Sequence, residues 1–226
     1  NDIASSIKWN TITANQEKDI TVAAQAQYFL GRSYHSQSPF QDMKRAVSWY
    51  IKAAKGGSAE AVECLADIYP VEDEDGLKWM NLYLKDGGDD TSHRNVRFKR
   101  AVAYSTEESR HHSILSAIDD YEVLAMKGSP LAMFNIGSLY LLKPAIKDYL
   151  KSFVWLTLSL KRMNIMQPKP LFYINWGNKM LNTITEYDSL SSAERMDANN
   201  LIYTLSRKIA PMSEYAPCQI ESAMLQ

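Results

Sequence analysis

From residue 24 onward the apolar positions recur at steps of three and four, the spacing of one helical face. The run Ala24-x-Ala26-x-x-x-Leu30-Gly31-x-x-Tyr34 puts Leu30, Gly31 and Tyr34 on such a face. A second helix follows as Ala46-x-x-Trp49-Tyr50-x-x-Ala53-Ala54-x-x-Gly57. Its small residues permit close contact, and Trp49 and Tyr50 are the large knobs. Glycine inside a helix costs about 1 kcal/mol relative to alanine. Close approach of the second helix, which only a residue without a side chain allows, compensates that cost at Gly31. Gly57 suits a left-handed C-cap.

The pattern then restarts. Ala59-x-Ala61-x-x-x-Leu65-Ala66-x-x-Tyr69 repeats the first helix after a shift of 35 residues. Its second helix carries Gly76, Trp79, Met80 and Gly87, behind a shorter loop that holds Pro70 and the acidic run Glu72 to Asp75. Acidic residues there favour the start of the next helix. A third copy is degenerate. Its second helix reads Ala117-x-x-Asp120-Tyr121-x-x-Leu124-Ala125-x-x-Gly128, and its first falls within 94–104, joined by a polar loop over 105–113. The fourth copy is clear: Ala132-x-x-x-Ile136-Gly137-x-x-Tyr140, then Asp148, Ser152 and Trp155 at the spacing of Asp42, Ala46 and Trp49. A last amphipathic pair has Phe172, Trp176, Met180, Leu181 and Ile184 on one side of its first helix. Its second is capped by Ser191 or Ser192, with Glu194 in the first turn, and runs to about Lys208. Pro211 and Pro217 mark an irregular tail. The expected organisation is an N-terminal segment over 1–20, about four repeats over 21–168, a capping pair over 169–210 and a tail over 211–226.

These residues resemble the Sel-one-like repeats, relatives of the tetratricopeptide repeat. The first copy carries the motif nearly completely, the second and fourth well, the third by half. The resemblance implies an all-α fold, a right-handed α-solenoid of antiparallel helix pairs, whose concave face is formed mainly by the first helix of each pair. It also implies binding roles in protein complexes and no catalysis. Sel-one-like proteins occur as immunity partners of effectors from the type six secretion system. The most concrete form of this reading is therefore a bacterial envelope or periplasmic protein, monomeric when free, that neutralises a cognate secreted toxin. The alternatives are a general adaptor, in the envelope or the cytoplasm, and a hydrolase with an unrecognised site.

Composition narrows this little further. Hydrophobic residues make up 46% of the 226 and charged residues 23%, enough to bury a core. A net charge of −1 gives no global pull toward nucleic acid or anionic membrane. No apolar run approaches the roughly 18–20 residues of a membrane span. The chain begins at Asn1 rather than Met, which fits a trimmed N-terminus and leaves a removed signal peptide or lipid anchor open. Cys64 and Cys218 read as two free thiols, with a bridge between them as the sharper alternative.

The consensus residues are core. Specificity falls instead to the first-helix positions facing away from the second helices. These are Gln25, Tyr28, Arg32 and His35 in the first repeat, Glu60, Glu63 and Asp67 in the second, and Leu131, Phe134, Ser138 and Leu141 in the fourth. One end is aromatic and basic, the middle acidic and the far end apolar, a pattern suited to a protein partner. On this reading Phe134→Asp weakens binding without unfolding the chain. No catalytic constellation, metal set or cofactor motif is legible. His111 and His112 point in different directions and have no third ligand nearby. The basic stretch Arg94, Arg97, Lys99, Arg100 reads as a solvated helix face.

Overall fold

Short polar side chains and glycines set the helix boundaries. In the computed structural model, residues 3–16, 18–69, 74–85, 88, 91–107, 112–186, 190–215, 217 and 219–225 are described. They form twelve α-helices and one 3₁₀ turn, with no strand among them. None of these helices is long and apolar enough to cross a membrane. The chain divides into two compact units, Asn1–Gly88 and Asp89–Gln226.

The first unit holds α1 (Ile3–Gln16), α2 (Ile20–His35), α3 (Met43–Lys55), α4 (Ala59–Ile68) and α5 (Glu74–Leu84). The pairs α2–α3 and α4–α5 are the first two repeats, and α1 packs on α2. Asp19 starts α2 by accepting the Thr21 N–H at 2.8 Å, satisfying a donor that the helix itself leaves open. The close approach expected at Gly31 is present: a β-carbon there would lie 2.5 Å from the Tyr50 ring of α3. Helix α3 ends on Gly57 at φ +94°. The Ser58 N–H then reaches back to Ala53 O at 3.0 Å, while Ser58 Oγ accepts the Ala61 N–H that opens α4. One Gly-Ser pair therefore closes a repeat and starts the next. Tyr69 is extended and ends α4, as the steric restriction on a residue before proline favours. Pro70, Glu72, Asp73 and Gly87 lie outside the described residues, whereas Glu74 and Asp75 occupy the first turn of α5.

The second unit holds α6 (Thr91–Ser105), α7 (Ile114–Met126), α8 (Pro130–Leu142), a 3₁₀ turn (Pro144–Ile146), α9 (Tyr149–Met163), α10 (Leu171–Glu186), α11 (Ser192–Lys208) and α12 (Gln219–Met224). The fourth repeat, α8–α9, copies the first. A β-carbon on Gly137 would meet Leu156 at 2.7 Å, as one on Gly31 would meet Tyr50. Gly128, at φ +98°, and Ser129 repeat the Gly57-Ser58 junction. Among the described residues, the first-helix tyrosine of three repeats has a backbone role as well. Its carbonyl accepts the N–H of the residue that caps the second helix: Tyr34 from Asp42, Tyr104 from Ser113 and Tyr140 from Asp148, at 2.8–2.9 Å. By that bond α6, which covers the expected 94–104, pairs with α7 as α2 does with α3. The Ser191–Glu194 capping box of α11 is formed in both directions.

Two expectations are corrected here. The basic stretch of α6 is not a solvated face. Its Arg97 and Arg100 turn onto the buried Asp120 of α7, with Arg100 Nε and Nη2 donating at 2.7 Å and Arg97 Nη1 at 3.0 Å. Burial alone would depress the Arg100 guanidinium, and its bonds to Asp120 outweigh this and hold it above its ordinary value. The tail is not wholly irregular either. Glu221 of α12 is buried, and Ser129 donates to its carboxylate. The Ala210 N–H reaches Met126 O at 3.0 Å, and Arg162 donates to both Gly128 O and Ala210 O. These bonds strap the chain after α11 onto the α7–α8 junction.

Candidate functional site

The first-helix faces of the first unit converge. Helices α2 and α4 touch, so their outward positions adjoin instead of lying on separate repeats. Tyr28 packs on Tyr50 with ring centroids 6.1 Å apart, and the Arg32 guanidinium lies over the Tyr28 ring at 5.9 Å. His35 Nδ1 is 3.3 Å from the Tyr50 hydroxyl, and the Cys64 thiol of α4 neighbours the same hydroxyl. Glu63 accepts from the Tyr83 hydroxyl of α5 at 3.4 Å. Glu60 accepts from Ser58 Oγ at 2.9 Å and borders, with Gln25, a shallow groove of about 370 Å³. Asp67 is exposed on the last turn of α4. Gln25, Tyr28, Arg32, His35, Glu60, Glu63 and Asp67 thus all lie in one unit, basic and aromatic on α2 and acidic on α4.

Burial raises three titratable groups on this face. Burial, and then the neighbouring Cys64, push the Tyr50 phenol far above its ordinary value. Tyr28 is raised in the same order, with Arg32 opposing. Burial also raises the Cys64 thiol, against a smaller lowering by the Tyr50 hydroxyl. All three are neutral donors at pH 7. A neutral thiol is a poor nucleophile, and Cys64 is free. Cys218 and His111 lie outside the described residues. Among the described residues no group of three or more His, Cys, Asp or Glu side chains gathers as metal ligands would.

The apolar end of the expected face is not open. Leu131 is fully buried, Phe134 is 3% exposed and Leu141 7%. Ser138 turns its hydroxyl to Phe134 O at 2.8 Å. Phe134 packs edge-on against Tyr173 and Trp176 of α10, at 5.3 and 5.8 Å. The cause is visible in the sequence of α8: it is apolar on every side, and such a helix is enclosed by its neighbours instead of showing a face to water. Helices α7, α9 and α10 enclose it. Tyr50, Cys64 and Tyr83 were missed as face residues. Tyr50 carries the motif's knob position, so its role in packing masked the hydroxyl at its far end.

Comparison with known proteins agrees with the helical-repeat fold. The family model described as Sel1 repeat matches residues 24–58 and 130–162. None of the curated proteins compared with the chain matches it. Among solved structures, a protective antigen present in uropathogenic Escherichia coli strains, displaying an SLR fold, is similar at 17% identity and a TM-score of 0.54. The match covers 94% of this chain and 47% of that one, so the chain spans about half the length of this relative. A Sel1 repeat protein from Oxalobacter formigenes is similar at 15% identity and a TM-score of 0.56, over 99% of this chain and 70% of that one. At these identities the likeness concerns the fold.

Proposed function

We propose that this chain, a Sel1-like repeat helical protein, is a non-catalytic scaffold that recognises a protein partner through the α2–α4 face of its first unit. The observation that carries the reading is the juxtaposition of Tyr28, Arg32 and His35 with Glu60, Glu63 and Asp67 on two touching first helices. Such a face offers the Tyr28 hydroxyl, an exposed guanidinium and three carboxylates within one patch. Paired opposite charges give register and specificity to a complementary protein surface, and aromatic and arginine side chains are the usual anchors of such contacts.

The specific form we favour is neutralisation of a secreted toxin in the bacterial envelope, because one tight globular partner suits a face with this much charge detail. Co-expression with toxins encoded beside its gene tests it. Protection of the cells, with co-elution of toxin and chain, is the expected result. Protection by no neighbouring toxin, together with micromolar binding of many unrelated extended peptides, would replace it with the general adaptor reading.

A further inference from the structure

The burial of Phe134 leaves a different surface exposed in the second unit. Aromatic packing continues outward from Phe134 through Trp176 to Phe172, the last two rings 5.6 Å apart. Trp176 is 44% exposed and Phe172 66%, and Leu142 at the end of α8 is 58% exposed. Between α8, the start of α9 and α10 lies a groove of about 400 Å³ bordered by Leu142, Lys147, Tyr149, Trp176 and Lys179. Lys147 Nζ sits 4.9 Å from the centre of the Tyr149 ring. Among the described residues no carboxylate lines this groove. Asp148, next to Lys147 in sequence, caps α9 and meets Lys151 at 3.4 Å. The floor is therefore apolar and aromatic, and Lys147 and Lys179 bring positive charge to it without counter-charge from the groove itself.

We propose that this groove is a second docking site, independent of the α2–α4 face, that takes an acidic segment of a partner protein bearing a large apolar side chain. The apolar side chain stacks on Trp176, and flanking carboxylates meet Lys147 and Lys179. Aromatic stacking supplies area at low entropic cost, and charge selects among apolar segments that would otherwise bind alike.

The probe is a fluorescein-labelled peptide, Asp-Glu-Asp-Leu-Phe-Asp-Glu, followed by anisotropy on the full chain. A second peptide has lysine at every acidic position. We expect the acidic peptide to bind, more weakly as salt rises, and the lysine peptide not to bind. Lys147→Glu with Lys179→Glu should lower affinity at least tenfold, and so should Trp176→Ala. The lysine variant is confined to side chains outside the core, and an unchanged thermal unfolding curve separates lost binding from lost fold. Arg32→Glu, on the other face, should leave the affinity unchanged. No saturable binding of the acidic peptide up to millimolar concentration would overturn the proposal. So would equal binding of both peptides, wild-type affinity in the lysine variant, or displacement by an oligothymidine, which would make the groove a nucleic-acid site.

Discussion

Gly31 and Asp120 show how single positions build or bend the repeat. At Gly31 the missing side chain lets the Tyr50 ring lie against the backbone of α2, and Tyr50 is fully buried and cannot swing away. Gly31→Ala gains helix propensity but overpacks this contact. The packing should win, with a net loss of about 1–3 kcal/mol in urea unfolding. Asp120 occupies the place that Trp49 holds in the first repeat. Alignment on Tyr104 puts Arg100 in the place of Leu30, so an ion pair replaces the apolar contact between paired helices. Asp120→Ala leaves two arginine side chains, each 17% exposed, facing a largely dry contact. Breaking such a pair costs about 3 kcal/mol or more, and the loss should appear in the same unfolding experiment. The third repeat looked degenerate because its consensus hydrophobes were exchanged for these charges. Neither the arginines nor the aspartate alone betrays the exchange; only the spacing from Tyr104 does, and that tyrosine gains meaning once its carbonyl is seen to hold the next helix cap.

Helix ends were the features most open to reading from sequence. Gly57, Gly128, Asp42, Asp148 and Ser191 act where their chemistry places them, since a cap depends on residues within one turn. The Glu194 carboxyl, held below its ordinary value by hydrogen bonds from the Ser191 side chain and backbone, gives α11 a pH dependence. Because its folded value is depressed, the contribution is present above the unfolded value and lost as pH falls through the folded one. Amide exchange in the first turn of α11 should therefore accelerate in acid beyond its intrinsic trend, and Glu194→Gln should abolish that response. Faces were harder than ends. Helical spacing located an outward side on α8, but burial is decided by what packs there, and α10 covers it. Phe134→Asp is accordingly expected to destabilise the second unit, with loss of helical circular dichroism, instead of weakening binding in a folded chain. Helix α1 was not expected because no motif runs through 1–20. Helix α12 was not because it has only six residues and is held by the distant Ser129–Glu221 bond.

At the scale of the whole molecule, the two units use one repeat for different ends. In the first, the outward sides of the first helices remain polar and partly exposed, with the Arg32 guanidinium over the half-buried Tyr28 ring. In the second, helix α10 packs over the equivalent positions of α8, and the strap through Arg162, Ala210 and Glu221 holds the α7–α8 junction. The periodic core was legible because three copies carry it, whereas exposure was not, because it depends on segments that carry no repeat. The α2–α4 face is proposed to hold a protein partner. The most direct test is the affinity of the partner recovered with the native chain for wild type and for Arg32→Glu, an exposed position whose reversal leaves the core intact. A loss of at least tenfold, about 1.4 kcal/mol, with an unchanged thermal unfolding curve is predicted. Wild-type affinity in that variant would contradict it.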